Sequence, residues 1–519
     1  GTERLAGELA AAVRDLPEVI AAGVEWATPS GSYCTAAPMG SGGRVASVYP
    51  GAFTTYPGAG GDLFRSLPQL RERFETLSDL PEARLKHRAL YPRTLGPMGR
   101  RDLMRHEAEL IEDIPTMLAT GTNLAVLNTQ ALRDVLGIRP HGGLGYSLGE
   151  SSMLFAMDVW SEAARDDSAL AASPLFRDRL RGRKERVREE WGLPPDLPDE
   201  RVWATRVLLA PPAEVRPHLA DLGRVYLTHV NTPREVVVAG APEQVEALVE
   251  RVGRPSAKAP ANHVMHCPVV DPELRALAAL NDYPLGDPDP ELELLSAYDL
   301  DRVNFRDRTA MAGRIAWTLR STIDFARLAE TAHERGFRYF VEVGPGATCT
   351  RWIPETLSDR PHLAVSVDRR GASASVSLAR ALARLVSHGL PAAIDALYPR
   401  TPTPPRSPSV RVVCGGESIA ERVERSAALA LAGAGSGTPP APTSTTPPTP
   451  EAATTVTATA PDSPPAPLSS DELVSMEAEP FVHLPSRTGP QPATAETDTA
   501  PVPAAVTGQV MPPPGTGSV

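Results

Sequence analysis

The feature that most constrains the fold of this chain is a glycine-rich stretch at 141–160, HGGLGYSLGESSMLFAMDVW. Its small residues predict a short buried strand that enters Gly145, Tyr146 and Ser147, and the apolar residues beyond Gly149 predict a helix. Glycine is required at both flanks because a β-carbon there would collide with the neighbouring strand and helix. The G-x-S-x-G pattern in this context predicts that Ser147 is a nucleophile. The alternative is an ordinary serine in a glycine-rich turn.

Residues 45–400 alternate short apolar runs with helical patterns, which indicates an α/β fold. We predict an α/β-hydrolase-like large subdomain with a mostly parallel sheet. Residues 198–262 have a different order, in which a strand, a helix, two strands and a second helix precede a segment suited to a fourth strand. This ferredoxin-like order predicts a small subdomain inserted in the larger one.

The two ends of the chain differ from the domain at 45–400. Residues 1–44 are interpreted as an N-terminal helix and linker, and 401–519 as a segment that ends in a Pro/Ala/Thr-rich linker. Residues 439–519 contain 19 of the 55 prolines. Such a segment buries too little apolar surface to offset the entropy lost on ordering. We therefore predict a disordered C-terminal tail that acts as a tether.

Charge and composition exclude several classes of function. The net charge of −11 disfavours a nucleic-acid partner, and no apolar run approaches the roughly 18 residues that cross a bilayer. The four cysteines are scattered without a CxxC pair, which is typical of thiols in a reducing cytoplasm. Phosphate-binding and dinucleotide-binding motifs are also absent from the sequence. We predict a cytoplasmic protein without a membrane segment, a metal site or a bound cofactor.

A nucleophilic serine requires a base, and histidine is the usual one. His266 ends a short apolar stretch in ANHVMHCPVV, just after the predicted insertion, and His263 is its close competitor. The residues alone leave open whether either histidine is a base or a structural side chain.

Several ordered motifs of 45–400 resemble those of the malonyl/acyl-CoA:acyl-carrier-protein acyltransferase domain of type I fatty-acid and polyketide synthases. They are VYPGAFTTYPGAGGDLFRSLP, GYSLGE, NTPREVVVAG, HCP, TLRSTIDFARLAE and FVEVGPGATCTRWI. The details GYSLGE, AMDVW, SPLFRDRLRGR and CTRWI are most similar to the PfaB-type acyltransferase of polyunsaturated-fatty-acid synthases.

The resemblance implies a reaction and a set of residues. His266 would take the proton of Ser147 while the serine attacks an acyl-CoA thioester. The acyl group, malonyl or another short acyl, would then pass to the phosphopantetheine thiol of an acyl carrier protein. Backbone N–H groups of Leu148 and Ala52 would hold the oxyanion, and the main-chain carbonyl of Asp324 would orient the histidine. Acyl-CoA, the carrier protein and neighbouring synthase domains are the implied partners.

The arginine that binds a substrate carboxylate in this family has its nearest match in Arg181, within a basic run. Arg181 lies further from the serine than the family pattern has it, which leaves three interpretations. The run is a solvated helix face, or Arg181 binds a substrate carboxylate, or the run meets coenzyme A phosphates or a carrier protein. Without an arginine in the pocket an uncharged acyl group fits better, since a buried carboxylate without a partner is costly.

Two other functions remain compatible with these residues. One is an acyl-thioester hydrolase, either a free α/β-hydrolase or an editing enzyme on the acyltransferase fold. The other is a non-catalytic docking domain of a megasynthase. The insertion between Ser147 and His266 argues against a free α/β-hydrolase, and the intact serine and histidine argue against a docking domain.

Overall fold

The computed structural model describes residues 1–71, 86–92, 98–161, 167–259 and 262–398. The predicted disordered tail at 401–519 lies outside these described residues. Within them the strands form one five-stranded parallel sheet, one five-stranded mixed sheet and a two-stranded antiparallel ribbon.

The strands of the described residues are, in chain order, β1 (Glu25–Ala27), β2 (Tyr33–Thr35), β3 (Arg44–Tyr49), β4 (Gly142–Gly145), β5 (Ala204–Leu208), β6 (Val225–Thr232), β7 (Glu235–Gly240), β8 (Ser256–Lys258), β9 (Glu293–Leu295), β10 (Ile323–Asp324), β11 (Phe337–Glu342) and β12 (Leu363–Ser366).

The α-helices of the described residues are α1 (Thr2–Ala22), α2 (Leu63–Ser66), α3 (His87–Leu90), α4 (Arg100–Glu112), α5 (Ile114–Gln130), α6 (Leu148–Ala156), α7 (Asp167–Ala172), α8 (Glu185–Trp191), α9 (Pro212–Leu219), α10 (Pro242–Val252), α11 (Leu274–Leu280), α12 (Arg308–Arg320), α13 (Phe325–Glu334), α14 (Thr348–Thr356) and α15 (Ala374–Ser387). Single π-helical turns follow α5 and α7, at Ala131–Val135 and Leu175–Arg179.

The large sheet has the order β12-β11-β3-β4-β9, and every pairing in it is parallel. Strand β3 shows why the sequence forms it, because its side chains alternate between two cores. Val45 and Tyr49 pack into the core on one face, whereas Ala46 and Val48 pack into the core on the other. A strand buried on both faces reads as a nearly continuous apolar run, as RVASVY does.

The small sheet has the order β10-β6-β7-β5-β8. Strands β5 to β8, with α9 and α10 between them, give the strand–helix–strand–strand–helix–strand order and the antiparallel pairing of a ferredoxin-like unit. They lie at 204–258, inside the predicted insertion. Strand β10 pairs in parallel with β6 and joins the small sheet from outside this segment.

The predicted fold class is confirmed for the described residues: an α/β-hydrolase-like parallel sheet with an inserted ferredoxin-like unit. The domain boundaries given above stay predictions. Among the described helices, none has both the length and the apolar composition needed to cross a lipid bilayer.

We expect Gly149→Ala to lower the free energy of unfolding by about 3 kcal/mol or more, as severe overpacking does. The added β-carbon would lie 2.0 Å from the carbonyl oxygen of Tyr49, so the β4–α6 turn and β3 must separate. The matched control is Gly313→Ala on α12, where a β-carbon meets no heavy atom within 4 Å. This control should be neutral or stabilising by up to about 1 kcal/mol. Denaturant unfolding measures both, and equal stability of the two variants would contradict the close packing of the turn.

Candidate active site

Ser147 lies at the sharp turn between β4 and α6. Its backbone has φ 56° and ψ −115°, a conformation that residues with a β-carbon rarely adopt. Strand β4 pairs with β3 and β9, and α6 begins at Leu148, so the serine stands at the carboxyl end of an interior strand. A β-carbon at Gly145 would lie 2.2 Å from the backbone nitrogen of Glu150. The packing of two glycines therefore fixes the strained serine above the sheet.

The structure brings Ser147 and His266 together across 119 residues of chain. The serine Oγ lies 2.8 Å from Nε2 of His266. On the other side of the ring, Nδ1 lies 3.0 Å from the carbonyl oxygen of Thr318 and 3.1 Å from that of Ser321. A carbonyl only accepts hydrogen bonds, so Nδ1 carries the proton and Nε2 presents its lone pair to the serine hydroxyl. This is the tautomer that a general base requires.

His266 is held as a neutral imidazole. The side chain is buried, and this burial lowers its pKa to about 4 because the charged form loses its solvation. The two carbonyl contacts favour the charged ring and raise the pKa, but by less than burial lowers it. His266 is therefore unprotonated at neutral pH and able to accept a proton.

The prediction for Asp324 is wrong. The carbonyls that contact His266 belong to Thr318, in the last turn of α12, and to Ser321, the residue that caps this helix. Carbonyls at the end of a helix have no partner inside it and are free to accept an outside donor. Asp324 instead caps the start of α13, where its carboxylate accepts a hydrogen bond from the backbone N–H of Arg327 at 2.9 Å.

Glu150 is a buried carboxyl group that connects the nucleophile helix to the residues around the histidine. It accepts hydrogen bonds from Ser296 Oγ at 2.7 Å, Ala297 N at 3.0 Å and Thr318 Oγ1 at 3.2 Å. Burial raises the pKa of Glu150 to about 7, against the opposing effect of these donors. The glutamate thus links α6 to the same Thr318 whose carbonyl orients His266. Its position after the second glycine of the turn is the one sequence signal for this role.

Two further histidines lie beside His266. The ring of His229, on β6, is 4.6 Å from that of His266 in an edge-to-face contact. His263, the competitor at the sequence level, lies 5.2 Å from the ring of Phe53 and lines the cavity around Ser147 without taking the serine contact. Burial, reinforced by repulsion from His266, lowers the pKa of both histidines. His229 was not among the site residues predicted from the sequence.

The predicted oxyanion residues are Leu148 and Ala52. Both residues line the same cavity as Ser147, and Leu148 is the first residue of α6. Among the described residues, neither backbone N–H donates a hydrogen bond to a protein acceptor. The first N–H groups of a helix have no partner within it and point toward negative charge. The role of these two groups as an oxyanion hole stays a prediction.

Arg181 lines the cavity that contains Ser147, but its guanidinium already has partners. Nη2 lies 2.5 Å from the Glu112 carboxylate, and Nη1 donates to the carbonyl oxygen of Ile111 at 3.2 Å. Glu112 is 78% exposed, so the carboxylate that holds Arg181 lies at the protein surface.

Much of the rest of the basic run makes ion pairs within the protein. Arg179 contacts Glu189 and Glu273, and Arg186 contacts Glu189 and Glu190. The charge of the run is balanced in this way, but the run is not a solvated helix face, because Lys184, Arg186 and Arg188 are buried. Among the described residues, no group of three or more His, Cys, Asp or Glu side chains is arranged to hold a metal ion.

A cavity of about 110 Å³ lies beside Ser147 and is open to solvent on one side. Its walls are formed mainly by apolar side chains of α5, of α6 and of the segment around the π-helical turn Leu175–Arg179. A second cavity reaches Ser147 from the small sheet and is lined by Thr205, Val237 and Trp352. The serine is therefore accessible from two sides.

We expect the rate at which a fluorophosphonate labels Ser147 to be constant from pH 8 to about pH 5. Below about pH 4 the rate should fall tenfold per pH unit, because a depressed His266 pKa keeps the base form present until then. His266→Gln should label at least about 100-fold more slowly, the usual contribution of a general base. An acid limb near pH 6.5 would contradict the burial argument.

The buried carboxyl of Glu150 should make stability depend on pH. In the folded protein the pKa of Glu150 is about 7, above the ordinary 4.5, so the folded state binds this proton more tightly than the unfolded chain does. The resulting stabilisation is fully present below pH 4.5 and is lost as pH rises through 7. Glu150→Gln should therefore be most destabilising at pH 4 to 5, and this loss should shrink by on the order of 3 kcal/mol by pH 8. Chemical denaturation of both proteins at each pH measures this. A loss that grows with pH would show that the charged carboxylate is the stabilising form.

Comparison with known proteins gives the same overall picture. No protein-family model matches the chain. It is 26% identical over 412 residues to a polyunsaturated fatty acid synthase subunit of Thraustochytrium sp., a match that covers 76% of this chain and 20% of that protein. It is 25% identical over 354 residues to the phenolphthiocerol synthesis polyketide synthase Pks15/1 of Mycobacterium marinum, covering 68% of this chain and 15% of that one. The chain thus spans a fifth or less of these two relatives.

Solved structures with the same fold include two acyltransferase domains of polyketide synthases. The domain from the second module of the salinomycin polyketide synthase has a TM-score of 0.56 and 24% identity, over 77% of this chain and 84% of that one. The acyltransferase domain of SpnD has a TM-score of 0.52 and 24% identity, over 69% of this chain and 78% of that one. The resemblance stated from the motifs is confirmed: this chain is similar in sequence to polyunsaturated-fatty-acid and polyketide synthases, and it has the fold of polyketide-synthase acyltransferase domains.

Proposed function

We propose that this chain is an acyl-CoA:acyl-carrier-protein acyltransferase that carries the acyl group as an ester of Ser147. The observation that supports this most directly is the 2.8 Å contact between Ser147 Oγ and an unprotonated His266 Nε2, beside a cavity lined mainly by apolar side chains. The donor would be an acyl-CoA and the acceptor the phosphopantetheine thiol of a carrier protein. Neighbouring synthase domains and a cytoplasmic location belong to the same proposal.

The first half-reaction forms the acyl-enzyme. The Ser147 oxygen bonds to the thioester carbon while its proton moves to Nε2 of His266. The oxyanion that results lies near the N–H groups of Leu148 and Ala52, which stabilise it. The carbon–sulfur bond then breaks, and His266 returns the proton to the departing sulfur. Coenzyme A leaves as a thiol, and the acyl group remains on Ser147.

The second half-reaction reverses these roles. The carrier thiol gives its proton to His266 and attacks the ester carbon, and the Ser147 oxygen recovers the proton as it leaves. The cavity on the side of the small sheet offers the thiol an approach that does not cross the acyl group. His266 remains oriented throughout because Nδ1 keeps its proton and its two carbonyl partners.

Hydrolysis of the acyl-Ser147 ester is the competing outcome, and only the nucleophile of the second step separates it from transfer. A docking domain needs no nucleophile, so the strained backbone conformation of Ser147 argues against one. Such strain costs on the order of 1–3 kcal/mol.

Incubation with a panel of acyl-CoA thioesters should give an adduct whose mass equals one acyl group, detected by intact-mass spectrometry. The adduct should be absent in Ser147→Ala and present in the control Ser41→Ala, whose serine is exposed in the loop before β3. Absence of an adduct with malonyl, acetyl and longer thioesters alike would refute the transferase.

A second measurement separates transfer from hydrolysis. The acyl-enzyme is mixed with a phosphopantetheine-bearing carrier protein, and acylated carrier is compared with free acid. We expect the carrier to receive at least ten times more acyl group than water does. A predominance of free acid would assign the chain to the editing hydrolases.

A further inference from the structure

We infer that the acyl group carried by Ser147 is an uncharged chain of medium length, about eight carbons, rather than malonyl. This inference rests on the proposed function and names the substrate class of the same site. It replaces the short acyl group expected from the sequence resemblance. Three properties of the cavity beside Ser147, the acyl chamber, support this inference. They are its length, its apolar lining and the ion pair that Arg181 already makes with Glu112.

The length of the chamber follows from helix α6. Leu148, Ser151 and Phe155 line it, and the spacing i, i+3, i+7 places all three on one face of the helix. With a rise of 1.5 Å per residue, this face extends about 10 Å from the nucleophile. An extended hydrocarbon with carbon–carbon bonds of about 1.5 Å in a zigzag covers that distance with about eight carbons. A three-carbon malonyl group would span less than half of this length.

The walls of the chamber suit hydrocarbon. Ile114 and Leu118 lie one turn apart on α5, opposite α6, and further apolar side chains complete the wall. Those further side chains include Phe176, Leu180, Met265 and Leu319. Burial of one methylene favours binding roughly fourfold, so each carbon beyond a short acyl group adds affinity until the chamber is full.

Most of the polar side chains along this wall are already engaged. Thr122 Oγ1 lies 3.0 Å from Ser152 Oγ, and the Asn281 amide donates to the carbonyl oxygen of Leu277 at 2.8 Å. Arg181 is paired with Glu112 and the carbonyl of Ile111. The single positive charge of Arg181 is already balanced by Glu112, although other N–H groups of the guanidinium remain. A malonyl carboxylate would therefore add a second negative charge beside Glu112 in an apolar cavity, which is costly.

The chamber is bounded by aromatic rings at the far end of α6. The ring of Phe155 lies 4.9 Å from that of Tyr283 and 5.1 Å from that of Trp160. Trp160 and Tyr283 also contact each other at 5.1 Å. Three mutually packed rings do not move aside as readily as a single flexible side chain, so they limit the length of the chain that enters. A palmitoyl chain exceeds this limit.

The test measures single-turnover rates of Ser147 acylation by intact mass with malonyl-, acetyl-, octanoyl- and palmitoyl-CoA. Octanoyl should load at least tenfold faster than malonyl, acetyl and palmitoyl. Faster loading of malonyl than of octanoyl would overturn the inference while leaving Ser147 acylation intact. No adduct with any thioester would instead refute the proposed function, so the two failures are distinguishable.

Two variants that fill the chamber test its role in selection. Ser151→Phe should lower the ratio of octanoyl to acetyl loading at least tenfold, and Leu170→Trp, at a partly buried position of the wall, is the second variant should the first fail to fold. The matched control is Ser41→Phe at an exposed position outside the chamber, which should keep the wild-type ratio. An unchanged ratio in a folded chamber variant would contradict the inference.

A third variant tests the charge argument. Glu112→Gln removes the exposed carboxylate that holds Arg181, so the guanidinium becomes available to a substrate carboxylate. The ratio of malonyl to octanoyl loading should rise at least fivefold. A fall in this ratio would show that Glu112 assists malonyl binding and would overturn the inference.

Discussion

The interaction on which the active site depends is the hydrogen bonding of His266 Nδ1 to two main-chain carbonyls, those of Thr318 and Ser321. A carbonyl cannot donate, so these contacts fix both the tautomer and the orientation of the ring. A carbonyl acceptor is also neutral, whereas a carboxylate in its place would favour the charged ring and raise the pKa of His266. The base therefore stays neutral in a buried site. The end of α12, rather than an acidic side chain, supports the catalytic pair.

The buried surroundings of this pair affect the rest of the site. Burial lowers the pKa of His229 and His263 as it does that of His266, so all three histidine rings are neutral. Glu150 contacts Thr318 from the nucleophile helix, and thereby ties the position of the base to the position of Ser147. Low polarity likewise makes an unpaired carboxylate costly in the acyl chamber, which is why the pairing of Arg181 with Glu112 bears on the choice of substrate.

Sequence reasoning predicted the parts of this protein that local patterns determine. The strand–turn–helix around Ser147 and the ferredoxin-like order of β5 to β8 follow from glycine placement and from hydrophobic periodicity. The assignment of His266 as the base required the motif resemblance, because its apolar sequence neighbours alone did not distinguish it from His263. The Asp324 prediction failed because the orienting carbonyl depends on where α12 ends in space. Arg181 and Glu112 lie 69 residues apart, so their pairing depends on tertiary structure that no local pattern encodes.

The protonation and tautomer of His266 can be read from its nitrogen NMR spectrum in protein labelled with ¹⁵N-histidine, assigned with His266→Gln. We expect a neutral ring with its proton on Nδ1 from pH 5 to pH 9, because burial depresses the pKa of His266 and two carbonyls hold that proton. A ring that becomes charged near pH 6.5, or one that carries its proton on Nε2, would contradict this expectation.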